Sequence, residues 1–128
     1  MLISQKQKVL IPSLREKIRY IGFEIIVKKQ DAEKVAKKIS KTDVKKAMLK
    51  AVKNYLGIKN SAQAGTMFVS NTYKNSKSRI RGVLKVNRKY IDDVKASMMF
   101  IKEINDIPLI IKCPVTSGVI NKVIKKLD

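Results

Sequence analysis

The sequence predicts an α+β fold, and three observations carry that prediction. Apolar residues alternate at a period of two in four separate stretches. The segments between and after them switch to a helical period. The order of those switches is β-α-β, then β-α-β, then α. This order matches the split βαβ arrangement, ferredoxin-like or RRM-like: a βαββαβ four-stranded antiparallel sheet with two helical layers packed on one face, plus an additional C-terminal helix. At 128 residues the chain, 1–128, reads as a single domain, long enough for a core.

Residues 1–11 read as a flexible arm that ends at Pro12. Ser13 and Glu16 then fit a capping box, opening a single helical turn that carries Arg15 and Lys17. Arg19 to Lys28 is the first strand, with Ile21, Phe23, Ile25 and Val27 on a core face. Its other face, Tyr20, Gly22, Glu24 and Ile26, is mixed. From Asp31 the period is helical. Ala32, Val35, Ala36 and Ile39 form one stripe; Val44, Ala47, Met48, Ala51, Val52 and Tyr55 form a second, out of phase across Ser40-Lys41-Thr42-Asp43. Thr42 as a fresh N-cap predicts a kink or two consecutive helices, and Gly57 a C-terminal stop.

Ala64 to Tyr73 is the second strand, followed by the polar hairpin connection Lys74-Asn75-Ser76-Lys77-Ser78. Ile80 to Val86 is the third strand, with Gly82, Leu84 and Val86 on one face and Arg81, Val83 and Lys85 on the other. Asn87 caps the next helix, and Asp92 and Asp93 fall in its first turns, where the helix dipole favours acids. Ile91, Val94, Met98 and Ile101 are its buried stripe, and Asn105-Asp106 ends it. Leu109 to Cys113 is the fourth strand. Ser117 caps a last helix whose stripe, Ile120, Val123, Ile124 and Leu127, must be buried against the open sheet face or a partner.

The charge points to function. Lys plus Arg number 29 against 10 Asp plus Glu, a net +19, which costs stability by self-repulsion unless a polyanion compensates it. Nucleic acid is the first candidate, ahead of an anionic membrane surface. Lysine enrichment in a hot-living organism inflates both signs and does not explain the imbalance. The basic residues concentrate where the third strand turns into its helix. Between 74 and 89 stand Lys74, Lys77, Arg79, Arg81, Lys85, Arg88 and Lys89, with no acid. The residues predicted to face RNA are Arg79, Arg81, Lys85, Arg88 and Lys89, with Arg15, Lys17 and Arg19 from the neighbouring first-strand segment.

Other classes are disfavoured. The chain has no histidine and a single cysteine, Cys113, so Ser-His-Asp and Cys-His catalysis, disulfides and the usual transition-metal sites are out of reach. Asp92 and Asp93, adjacent on a helix, point about 100° apart and make no carboxylate dyad. There is no glycine-rich phosphate loop. No metal or other cofactor is expected on the protein. No signal sequence is visible and no apolar run approaches the roughly 20 residues of a membrane span, so a soluble, cytoplasmic protein without membrane contact is expected. RNA-recognition motifs read bases with aromatics on the third strand. Arg81-Gly82-Val83-Leu84-Lys85-Val86 keeps the Arg-Gly of that pattern and none of its aromatics, so RNA would be held through phosphate, sugar and shape. Tyr20 and Tyr73 are the candidates for stacking a base, against the commoner role of packing.

Three segments together resemble one family. Residues 12–24, Pro-Ser-Leu-Arg-Glu-Lys-Ile-Arg-Tyr-Ile-Gly-Phe-Glu, are similar to the opening signature of the ribonuclease P protein component 2 family, the Pop-five-type subunits of archaea and eukaryotes. Residues 81–97 resemble its strand-to-helix signature, and Val115-Thr116-Ser117-Gly118-Val119-Ile120 its Ser-Gly segment. The resemblance implies a protein subunit of ribonuclease P, the endoribonuclease that removes the 5′ leader of precursor tRNA. It implies that catalysis belongs to the RNA subunit, with divalent metal (magnesium) bound by that RNA. The implied partners are ribonuclease P RNA, ribonuclease P protein component 3 in a two-plus-two heterotetramer, other ribonuclease P proteins, and precursor tRNA. The alternatives are a general structured-RNA-binding or chaperone module, a protein-interaction scaffold, and an independent nuclease.

Overall fold

The structure, a computed structural model, describes residues 17–28, 38–76 and 79–127. The expected arm, the Ser13–Glu16 box with Arg15, the stripe residues Ala32, Val35 and Ala36, and Lys77 lie outside the described residues. The elements are β1 (Ile18–Val27), α1 (Lys41–Ala64), β2 (Met67–Ser76), β3 (Arg79–Asn87), α2 (Ile91–Met99), β4 (Glu103–Ile104), β5 (Ile107–Ser117) and α3 (Ile120–Leu127). The sheet order is β2-β3-β1-β5-β4, and every pairing is antiparallel. The expected α+β architecture is present, with β1 and β3 as central neighbours.

The described sheet has five strands where four were expected. The fifth is β4, joined to β5 by Asn105 and Asp106 at φ 53° and 63°. A two-residue hairpin turn of type I′ needs positive φ at both positions, and Asn and Asp tolerate it with little penalty. Asn105-Asp106 is thus a hairpin turn and not a helix end; α2 stops at Met99.

One face of the sheet carries the main core. Ile21, Phe23 and Ile25 of β1 and Ile80, Leu84 and Val86 of β3 are buried against Val44, Met48 and Val52 of α1 and Val94 and Met98 of α2. Phe23 lies opposite Gly82, and a Cβ at Gly82 would fall 2.6 Å from the ring. Gly82→Ala is therefore expected to cost about 1–3 kcal/mol through overpacking. A denaturation midpoint equal to the parent's would contradict that.

Three details of α1 differ from expectation. The N-cap is Ser40 and not Thr42: its Oγ accepts from the Asp43 N–H at 3.2 Å, while the Asp43 carboxylate accepts from the Ser40 N–H at 3.0 Å. Gly57 is a kink and not the end. It has φ 82°, after which helix resumes to Ala64 and closes at Gly65, φ 56°. Tyr55 is exposed, because the step of four from Val52 brings Leu56 to the core instead.

β2 also differs, running through the expected turn to Ser76, which pairs with Arg79. Its register against β3 jumps between Val69 and Lys74, leaving three extra residues on β2. Thr72 repairs the break, its Oγ1 accepting from the Val83 N–H at 3.0 Å.

The last helix resolves the open question about its apolar stripe. α3 lies across the sheet's second face on β1, β3 and β5. Val123 and Leu127 bury against Val83, with Tyr20, Val69, Val115, Ile120 and Ile124 around them. Gly22 permits this approach: a Cβ there would sit 2.6 Å from Val115 and 2.8 Å from Val123. Ser117 helps start the helix by accepting from the Val119 N–H at 3.1 Å.

Candidate nucleic-acid interface

The antiparallel pairing of β1 and β3 sorts the predicted basic residues into separate places. Ile18 faces Asn87 at one end, and Ile26 faces Arg79 at the other, roughly 25 Å away at the usual strand rise. Lys17, Arg19, Lys85, Arg88 and Lys89 therefore gather at the first end. The Arg88 N–H donates to the Lys17 carbonyl at 2.6 Å, locking the two segments together. Asn87 Oδ1 accepts from the Lys89 N–H at 3.0 Å and opens a 3-10 turn over Arg88–Tyr90. Tyr90 anchors that turn from below: it is buried, and its hydroxyl donates to Gln63 Oε1 at 2.5 Å. The kink at Gly57 redirects the last turns of α1, which carry Gln63.

The result is a corner whose backbone is held by hydrogen bonds and whose charges sit at the ends of long side chains. Lys17, Arg88 and Lys89 are exposed, and Lys85 and Arg19 are half-buried. A depression of about 200 Å³ opens there, lined by Lys17, Lys85 and Asn87 together with Gln63 and Gly65. Arg19 donates to the Ile18 carbonyl at 2.7 Å and borders Gly118. Such a corner offers closely spaced cations to a phosphate backbone and no flat ring for a base.

Two of the predicted residues have other engagements. Arg79 forms an ion pair with Glu24 at 2.5 Å, and the hydrogen bond holds the Glu24 carboxyl below the usual carboxylate range. Because the folded value lies below the unfolded one, this stabilisation is present above the unfolded value of about 4.5 and is lost as pH falls through the lowered one. Glu24→Gln should thus narrow the gap in Tm between pH 7 and pH ~3 relative to the parent, read by thermal denaturation; an unchanged gap would count against the pair. Arg81 donates from Nη1 to the Leu127 carbonyl at 2.5 Å, placing a cation at the C-terminal end of α3, where the helix dipole favours it. Arg15 lies outside the described residues.

Neither tyrosine singled out for stacking offers an open ring: Tyr20 packs under α3, and Tyr73 packs 6.0 Å from Phe68 against the main core. The exposed aromatics are instead Tyr55 and Phe100, 5.4 Å apart. Phe100 was detectable, since Met99 and Phe100 fall off the Ile91–Val94–Met98 stripe. Tyr55 was masked by sharing a stripe with Val52.

Among the described residues no group of three or more His, Cys, Asp or Glu side chains comes together. Asp92 is exposed and Asp93 half-buried, in the first turn of α2. Burial pushes the Cys113 thiol up to about 11, against a smaller opposing effect of Lys95, which disfavours the thiolate at neutral pH. Among the described residues no helix is long and apolar enough to cross a membrane.

Residues 19–127 match the family described as Rpp14/Pop5. The chain belongs to the Rpp14/Pop5 family. The similar proteins include Ribonuclease P protein component 2 of Thermococcus gammatolerans, 31% identical over 122 residues that cover 95% of this chain and 92% of that protein. Ribonuclease P protein component 2 of Methanocaldococcus jannaschii is 32% identical over 115 residues, covering 90% and 75%. A chain in the cryo-EM structure of yeast ribonuclease MRP shares the fold of this Rpp14/Pop5 protein, with a TM-score of 0.57 at 16% identity over 87% of this chain and 86% of that one. The Rpp14/Pop5 match contains two of the three resembling segments, 81–97 and 115–120, and begins within the first, 12–24.

Proposed function

We propose that this Rpp14/Pop5 protein is a protein subunit of ribonuclease P, supporting the catalytic RNA as it removes the 5′ leader of precursor tRNA. The family match over residues 19–127 carries the reading. The geometry agrees with it: a basic corner for phosphates, a sheet face closed to bases by α3, and no assembled nuclease centre among the described residues. In this reading Lys17, Lys85, Arg88 and Lys89 neutralise crowded RNA phosphates, which lowers the divalent-ion concentration the RNA needs to fold and react. Asp92 and Asp93 are spread around a helix start, and the divalent metal is proposed to sit on the RNA, as the family resemblance implies. Ribonuclease P RNA, component 3 in a two-plus-two assembly, further ribonuclease P proteins and precursor tRNA are the proposed partners.

The test is reconstitution of leader removal at limiting magnesium, with and without this chain. Cleavage that depends on the chain at low magnesium, and less so at high magnesium, supports the reading. Cleavage indifferent to the chain, or equal affinity for unrelated structured RNAs, overturns it in favour of a general RNA-binding module.

A further inference from the structure

An apolar strip runs over the C-terminal end of α2. Met99 is 75% exposed and Phe100 68%, while Tyr55 across on α1 is 47% and Ile110 on β5 is 40%. These side chains are connected. Tyr55 and Phe100 pack ring against ring, 5.4 Å apart at a tilt of 33°. Met99 and Ile110 wall a groove of about 740 Å³ whose floor includes Leu109 and Ile111. Ile101 borders both that groove and a second of about 690 Å³ beside Phe100. Exposed apolar side chains grouped in this way on a highly charged chain mark an interaction surface.

The surroundings specify what fits. The first groove is rimmed by Lys28, Lys95, Lys102 and Lys112, and no acid lines it among the described residues. Lys46 and Lys50 border the second. Its acids among the described residues are Glu103 and Asp43, and Asp43 is already tied to Ser40 and Asn105. A second copy docking face to face would bring the same lysines together, which is repulsive. RNA would satisfy the lysines but leave Met99 and Ile110 without apolar cover. An acidic rim around apolar side chains satisfies both.

We infer that Tyr55, Met99, Phe100 and Ile110 form a docking surface for a partner protein that presents apolar side chains ringed by carboxylates. The inference rests on the reading of the chain as a ribonucleoprotein subunit. The strip lies at the opposite end of α2 from Arg88 and Lys89, so the protein partner and the RNA occupy separate faces.

Methionine oxidation by dilute peroxide, read by mass spectrometry, tests this at Met99. The chain is probed alone, with ribonuclease P RNA, and with the ribonuclease P proteins that reconstitute cleavage. Oxidation of Met99 should slow at least tenfold with the proteins and stay unchanged with RNA alone. The double variant Met99→Ser, Phe100→Ser preserves charge; it should weaken association with those proteins at least tenfold and leave the salt slope of RNA binding untouched. Protection by RNA alone would reassign the strip to nucleic acid. Protection that grows with the chain's own concentration would reassign it to self-association. Met99 exposed in an assembly that requires the chain for cleavage overturns the docking surface but spares the functional reading. Cleavage that never requires the chain overturns both.

Discussion

Val123→Asp is expected to detach α3 from the sheet and to lower stability by about 2–4 kcal/mol. Val123 is fully buried between the helix and Val83, Val115 and Gly22, with no described basic group at that point to receive a carboxylate. The loss combines the transfer energy of the valine side chain, about 1.5–3 kcal/mol, with the penalty for placing a polar group in an apolar seam. Against the roughly 5–15 kcal/mol that holds a typical domain together, this is a large fraction. The main core on the other face, built around Phe23, Met48 and Met98, is untouched. The variant should therefore remain folded, bind a hydrophobic dye through the uncovered Val83 and Val115, and lose hydrogen-exchange protection in 120–127 first. Full protection of α3 together with an unchanged urea midpoint would refute its role as the sheet's cover.

The second large effect concerns RNA. Replacing Lys17, Lys85, Arg88 and Lys89 together by alanine should flatten the salt dependence of RNA binding by about 3 to 4 in log–log slope, if each cation meets a phosphate. That corresponds to a loss of about three orders of magnitude in affinity near 0.1 M salt. Stability should change little, because three of the four side chains are exposed and the backbone bonds that shape the corner remain. The contrasting variant is Arg81→Met. It removes the contact with Leu127 and is expected to loosen α3 more than it alters the salt slope. A slope that falls equally in both variants would mean that the corner is not the phosphate-binding face.

Much of the fold was legible because it depends on periodicity. The core face of β1, the Gly82–Leu84–Val86 face of β3 and the stripe of α3 follow from local spacing, and all three are buried as expected. What escaped depended on contacts between distant residues. β4 is two residues long, too short for any period, and exists because Asn105 and Asp106 accept positive φ. Ser40 prevails over Thr42 as the cap because Asp43 reciprocates its bond. For the interface, composition located the basic concentration but not its geometry. Arg79 and Arg88 are neighbours in sequence terms, yet a strand's length separates them. The ion pair of Arg79 and the helix anchor of Arg81 come from Glu24 and Leu127, which are 55 and 46 residues away.

The interruptions in β2 and β5 also govern how the molecule avoids sticking to itself. An edge strand offers unpaired backbone groups to any passing chain, and a long, flat one nucleates aggregation. β2 lies at one edge, and its three extra residues between Val69 and Lys74 break the ladder that a newcomer would have to follow. On the other side β4 shields β5 at Ile107 and Pro108, and the Lys102 carbonyl accepts from the Leu109 N–H at 3.0 Å. Beyond it, β5 is bulged where its register with β1 shifts between Val115 and Lys112, and Pro114 within that bulge has no N–H to donate. Both margins thus interrupt the ladder that a foreign strand would have to follow. A chain carrying this many exposed apolar side chains is thereby steered towards neighbours that recognise its side chains, and away from the indiscriminate pairing of backbones.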